Sequence, residues 1–249
     1  MQAKDIDHLI EILDEIIAIE QTANSPLGYF PALYRKVTIE VRDKIRDDYF
    51  DDGPRMEQLD VGFANRYLKA YYDYKAGKPT SASWAIAFEA TEDFWPIVLQ
   101  HLFLGMNAHI SLDLGITASE ISSGDKIDSL QDDFNKINEI LASLVDDVQR
   151  ELGKIWPFLR IIDWLAGRLD EAVADFSIDI ARDAAWDVAK DLAVDQNPVS
   201  REEYIAKLDQ KVSRFGGKLY KPGIILGLLA KIIRLMELGN VSERIEILK

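Results

Sequence analysis

Apolar residues recur along this chain at intervals of three and four, and no alternating stretch of useful length appears. The pattern therefore predicts helices from end to end. Ile6, Leu9, Ile10, Leu13, Ile16 and Ile17 form the stripe of a first helix, which Asn24-Ser25-Pro26-Leu27-Gly28 breaks. A second carries Leu33, Val37 and Val41 and ends in the acidic turn from Asp47 to Gly53. Pro54 suits the first turn of a third helix, capped near Asp52 or Gly53 and stopped at Gly77. Thr80-Ser81-Ala82-Ser83 begins a fourth, through Trp84 and Phe88 to Phe94. Pro96 opens a fifth, nearly free of charge from Ile97 to Leu112 and so buried on most sides.

The most regular stripe follows Gly124-Asp125 and runs through Ile127, Leu130, Phe134, Ile137, Leu141, Leu144, Val148 and Leu152. Pro157 and Gly167 bracket a short apolar helix, and another runs from Arg168 to near Val194. Its Asp175, Asp179, Arg182 and Asp183 have the spacing of ordinary surface ion pairs. Asn197-Pro198 reads as a turn, with Ser200 capping a helix toward Phe215, and Gly216-Gly217 and Pro222-Gly223 precede a last long helix. No repeat or linker divides the chain. The expectation is one all-α domain over residues 1–249, a compact bundle of about nine or ten helices.

Composition narrows the chemistry. The 249 residues carry 29 Lys+Arg against 43 Asp+Glu, a net charge of −14, which disfavours nucleic acid as a partner. The absence of cysteine excludes disulfides, thiolate-bound zinc, iron–sulfur clusters and thiol nucleophiles. The N-terminus reads as neither signal peptide nor transit sequence, so a cytoplasmic protein is expected. The apolar run from Gly223 to Gly239 contains Lys231 and Arg234 and is too short to span a bilayer, so no membrane insertion is expected.

Three histidines remain, His8, His101 and His109. His8 lies off its helix stripe and reads as solvated. His109 and Asp113 are four residues apart, about 40° around an α-helix and about 6 Å along it. Such a pair can share one divalent metal ion, or Asp113 can orient the imidazole as a base. His101 is about 12 Å from His109 along a straight helix, too far to share an ion. Gly105 between them suits the close approach of another helix. The third helix offers Asp60 as a further ligand or general base, and Asn65 and Arg66 as groups that orient a substrate. Asp47-Asp48-Tyr49-Phe50-Asp51 has the spacing of the DDxxD diphosphate motif, but Gly53-Pro54 follows at once and places these aspartates in a turn.

Two stretches carry a resemblance. One is Phe50-Asp51-Asp52-Gly53-Pro54-Arg55-Met56-Glu57 with Phe63-Ala64-Asn65-Arg66-Tyr67-Leu68; the other runs from Pro96 to His101 and through Gly105-Met106-Asn107-Ala108-His109-Ile110 to Leu112-Asp113-Leu114. Together they resemble an uncharacterised bacterial family of domains of unknown function, over most of the chain. The resemblance implies no activity, but it directs attention to Asn65, Arg66, His101, Asn107, His109 and Asp113. A looser likeness is to the helical zinc-dependent phospholipases C and single-strand nucleases, through His109 and Asp113 alone; three histidines cannot supply their zinc cluster.

Two functional readings follow. In the first, the protein is a metal-dependent hydrolase acting on a small molecule. His109, Asp113 and Asp60 are then catalytic, His109 and Asp113 hold the metal, and Asn65, Arg66, His101 and Asn107 bind substrate. In the second it is a non-catalytic helical binding or scaffold protein, with His109–Asp113 a structural hydrogen bond.

Overall fold

A computed structural model describes residues 1–156, 178–195 and 197–249. The predicted Pro157–Gly167 helix, the opening of the next helix at Arg168, and Asp175 lie outside these residues. Among the described residues there are no strands and eleven α-helices. They are α1 (Ile6–Thr22), α2 (Tyr29–Arg46), α3 (Gly53–Lys75), α4 (Ala82–Glu89), α5 (Val98–Ala108), α6 (Gly115–Ile121), α7 (Gln131–Ile155), α8 (Ile178–Val194), α9 (Pro198–Tyr220), α10 (Gly223–Met236) and α11 (Val241–Leu248). None is long and apolar enough to cross a membrane. The fold is all-α.

Local chemistry explains the boundaries. Asp5 and Ser81 accept hydrogen bonds at the starts of α1 and α4, and Asp52 does so for α3 with proline in the first turn. Asp47 follows the end of α2, Asp48 takes a positive φ, and the aspartates lie in the expected turn. That turn is clamped by buried Asp133 of α7, whose oxygens accept from the Asp51 and Asp52 amides at 2.7 and 2.9 Å. Some boundaries differ from the expected ones: α4 stops at Glu89, short of Phe94. Gly124–Leu130 is 3-10 rather than α, so α7 starts at Gln131, and Asn197, not Ser200, accepts the capping bond of α9. Gly216 and Gly217 are absorbed into α9 because its remaining residues still favour a helix and its buried face continues through Gly216.

The main apolar core joins the inner faces of α1–α4 to Leu104 and Ala108 of α5, Phe134 of α7 and Trp186 of α8. A second cluster packs α10 and α11 onto α1, α2 and α5 through Ile233, Ile245 and Leu248. Buried Glu237 ties that end together: it accepts from the Val98 amide at 2.8 Å and pairs with Arg234 and Arg244.

Helix α5 reaches the core centre by giving up side-chain bulk. A Cβ on Gly105 would stand 2.4 Å from the Phe30 ring, which itself packs edge-on against Tyr67, Trp84 and His109. Gly105→Ala must displace that ring, and overpacking of this kind costs about 1–3 kcal/mol. Gly217→Ala meets nothing within 4 Å and removes a flexible residue from a helix. Thermal unfolding of both variants is expected to lower the melting temperature for Gly105→Ala and leave it equal or higher for Gly217→Ala.

Candidate functional site

The helix that begins as α5 does not continue as an α-helix. His109–Leu114 forms a π-turn before α6 resumes at Gly115. Such widened turns recur at functional sites. Beyond it the backbone lies against α8, where a Cβ on Gly115 would stand 2.4 Å from the Ala185 carbonyl oxygen. The π-turn keeps His109 and Asp113 on one side, with Nδ1 3.5 Å from Oδ2. That separation is at the outer limit for a hydrogen bond, and neither ring nitrogen of His109 has a hydrogen-bond partner. The carboxylate is engaged elsewhere: Trp84 Nε1 donates to Asp113 Oδ2 at 2.9 Å.

Aromatic rings hold the imidazole. Phe63 stacks on it at 3.5 Å with planes 7° apart, and Tyr34 meets it edge-on at 4.7 Å. Burial lowers the His109 pKa, although Asp113 pulls the other way, so the ring is neutral at physiological pH and offers one donor and one acceptor.

His109 lines a cavity of about 100 Å³ between α2, α3 and α7, walled by Phe30, Tyr34, Val37, Met56, Phe63, Met106, Phe134, Ile137 and their neighbours. Its other polar groups are Asp60, Tyr34 and Arg182. Asp60 keeps partial exposure as a residue, yet its Oδ2 is buried with no partner. Burial first, then the nearby Glu57 carboxylate, push its pKa up to about 7. Burial also raises the Tyr34 pKa, with Asp60 adding to the effect. Arg182 turns inward, contrary to the surface ion pairing expected for it. It bonds the Phe134 carbonyl and Asn138, lies over the Phe134 ring, and has no ion-pair partner among the described residues. Burial lowers its pKa to about 10, so it remains charged.

The chain belongs to the family of unknown function DUF5995. The family model matches residues 6–222, which contain every side chain of this cavity. No curated protein and no solved structure matches the chain.

The cavity brings together three of the expected groups, His109, Asp60 and, just behind, Asp113. Asn65 is instead spent on the backbone of Ala3, accepting at 2.7 Å and donating at 3.0 Å. Arg66 bonds Thr117 at 3.0 Å and pairs with Glu120 at 2.6 Å. Asn107 donates to the Val212 carbonyl at 3.0 Å and lines a separate groove between α8 and α9. His101 is buried against Tyr29, and burial lowers its pKa to about 3. His8 is half-buried, with its Nδ1 accepting from the Lys4 amide. Tyr34, Phe63, Trp84 and Arg182 complete the site, although none was expected there. The three rings carry no signal beyond aromatic residues on helix faces, which a plain core shares, and Arg182 has the spacing of a surface ion pair.

The donor set suits a metal ion poorly. His109 and Asp113 are two ligands, Asp113 Oδ2 already accepts the indole N–H, and no group of three or more His, Asp or Glu able to hold a metal occurs among the described residues.

Asp60 and the histidines give opposite pH dependences. A carboxyl whose folded pKa is raised contributes stability that is full below about pH 4 and lost as pH rises through about 7. His109 and His101, with lowered folded pKa values, contribute stability present above about pH 6.5 and lost as pH falls. Asp60→Asn deletes only the first effect. Chemical denaturation across this range is expected to show the variant gaining on wild type as pH rises from about 4 to about 8. A constant difference between the two proteins contradicts the assignment.

Proposed function

We propose that this protein binds a small, largely apolar molecule bearing one neutral hydroxyl group, seated in the α2–α3–α7 cavity with the hydroxyl against His109 and Asp60. The observation that carries this reading is the pair of unpartnered nitrogens on a buried, neutral imidazole that lines a cavity. An unsatisfied buried polar atom costs about 1–3 kcal/mol, so a group that donates to one nitrogen or accepts from the other gains on binding. A hydroxyl does either, and it also pairs with the Asp60 carboxyl in both protonation states. The apolar wall of Phe30, Phe63, Met56, Met106 and Phe134 supplies the rest. Size is limiting: an engineered apolar cavity of about 150 Å³ accepts benzene, so one of about 100 Å³ takes at most a single ring or a short chain.

A second reading, an enzyme, draws on one observation: a carboxyl with a pKa of about 7 shares the cavity with a neutral imidazole. That is the range of a general acid–base group, and it supports metal-independent proton transfer on the bound molecule rather than the metal-dependent hydrolase expected from His109–Asp113.

Phenol and benzene are the probes. The full-length chain is expected to bind phenol about ten-fold more tightly than benzene, the value of about one net hydrogen bond, and to melt at a higher temperature when phenol is bound. His109→Phe keeps an aromatic ring in the stack but is expected to abolish that preference. Equal binding of the two probes by wild type, or binding of neither, contradicts the proposal. Consumption of a hydroxyl-bearing ligand that stops in Asp60→Asn favours the enzyme reading.

A further inference from the structure

Helix α10 buries Ala230 and Ile233 and leaves its opposite side bare. Ile224, Leu228, Ile232 and Leu235, spaced by four, four and three residues, make one exposed stripe with Ile225 beside it; Ile224 is 91% and Leu235 70% exposed. Exposed Phe94 and Trp95 stand against the same helix, with Arg234 over the first ring and Lys231 over the second. A contiguous apolar surface of this kind marks an interaction site.

Charge identifies the partner. From Gln210 to Met236 the chain has six Lys or Arg and no Asp or Glu, within a protein of net charge −14. Arg234 shares Glu237 with Arg244, but Lys211, Arg214, Lys218, Lys221 and Lys231 are exposed and form no ion pair among the described residues. Lys211, Arg214, Lys218 and Lys221 follow the spacing of one helix face along α9 and its C-cap. That row ends at a groove of about 380 Å³ where Lys221 and Lys231 line the walls with Trp95 and Ile224. The groove's one acid, Asp93, is occupied by the Tyr220 hydroxyl and the Trp95 amide.

We propose that this face docks the protein on an anionic phospholipid surface. Helix α10 lies in the plane of the bilayer, its Ile/Leu stripe at the headgroup–acyl boundary, Trp95 and Phe94 at the interface, and Lys221 and Lys231 against lipid phosphates. Its 14 residues reach about 21 Å, short of the hydrocarbon thickness, so the helix lies on the membrane and does not cross it. A second copy of the chain is the competing occupant, but a two-fold pairing of this face would set the unpaired lysines of both copies together. The helix lies beyond residues 6–222 and is independent of the cavity reading.

Full-length protein is sedimented with vesicles of phosphatidylcholine containing a quarter phosphatidylglycerol, and with phosphatidylcholine alone. Partitioning onto the anionic vesicles is expected to be at least about ten-fold stronger and to weaken in high salt. Brominated anionic lipid is expected to quench tryptophan emission in wild type but far less in Trp95→Phe. Leu228→Glu, at an exposed position, is expected to lose at least about ten-fold in partitioning with an unchanged melting curve. Paired Lys221→Glu and Lys231→Glu changes are expected to lose about five-fold or more for each removed cation. No association with anionic vesicles, or association indifferent to Leu228→Glu and to the Lys221/Lys231 changes, overturns the proposal. So does a dimer in light scattering that Leu228→Glu splits while vesicle binding is absent, which assigns the face to a second copy.

Discussion

The structure turns on a polar ring placed where an apolar one would pack more simply. His109 is sandwiched against Phe63 and edged by Tyr34 and Phe30, on a π-turn that interrupts the helix from Val98 to Ile121. Burial keeps the ring neutral, and a neutral imidazole stacks among aromatics with little electrostatic penalty. Much of the surrounding architecture follows from seating it. Gly105 lets Phe30 approach, Trp84 takes up the Asp113 carboxylate, and Gly115 admits α8 close behind the turn.

Other buried polar groups show how this fold deals with polarity when only stability is at stake. Asp133 satisfies both oxygens with the amides of Asp51 and Asp52; burial works against its charge, but those bonds and Lys136 prevail and hold its pKa below the usual range. Glu237 caps α5 and pairs with two arginines, and Glu20 accepts from Lys75 at 2.9 Å and from Tyr71. Arg182 donates to the Phe134 carbonyl and the Asn138 amide oxygen and lies over the Phe134 ring. Buried Glu20, Tyr29, Tyr67 and His101 each also keep one polar atom without a hydrogen-bond partner, but His109 keeps two, and it shares its cavity with the unpartnered atoms of Asp60 and Tyr34.

The helices were legible in the sequence because each needs an apolar stripe, and caps such as Asp52-Gly53-Pro54 and Ser81 mark their ends locally. The family resemblance was legible too, and the match over residues 6–222 bears it out. The His109–Asp113 pair could be read from spacing because four residues keep a shared side in an α-helix and in the π-turn alike. The π-turn itself was not legible, since nothing in His109–Leu114 distinguishes it by spacing from a continuing α-helix. Asn65, Arg66 and Asn107 looked equally suited to a ligand, but a side chain's partner is a tertiary fact. Ala3, Thr117 and Val212 claim them from far along the chain. Arg182 shows the converse, a residue with the spacing of a surface ion pair that packing turns inward onto Phe134.

His109 sits unpaired in its aromatic cage, where burial favours the neutral ring over an imidazolium bonded to Asp113. Nitrogen-15 NMR of the histidine side chains, titrated across pH 4 to 8 with His109→Phe for assignment, reads this directly. His109 is expected to titrate below the ordinary histidine midpoint of about 6.5. Asp113→Asn is expected to lower its midpoint further, because Asp113 opposes the larger effect of burial. A midpoint at or above 6.5 that collapses in Asp113→Asn would show a charged, hydrogen-bonded pair and contradict the account.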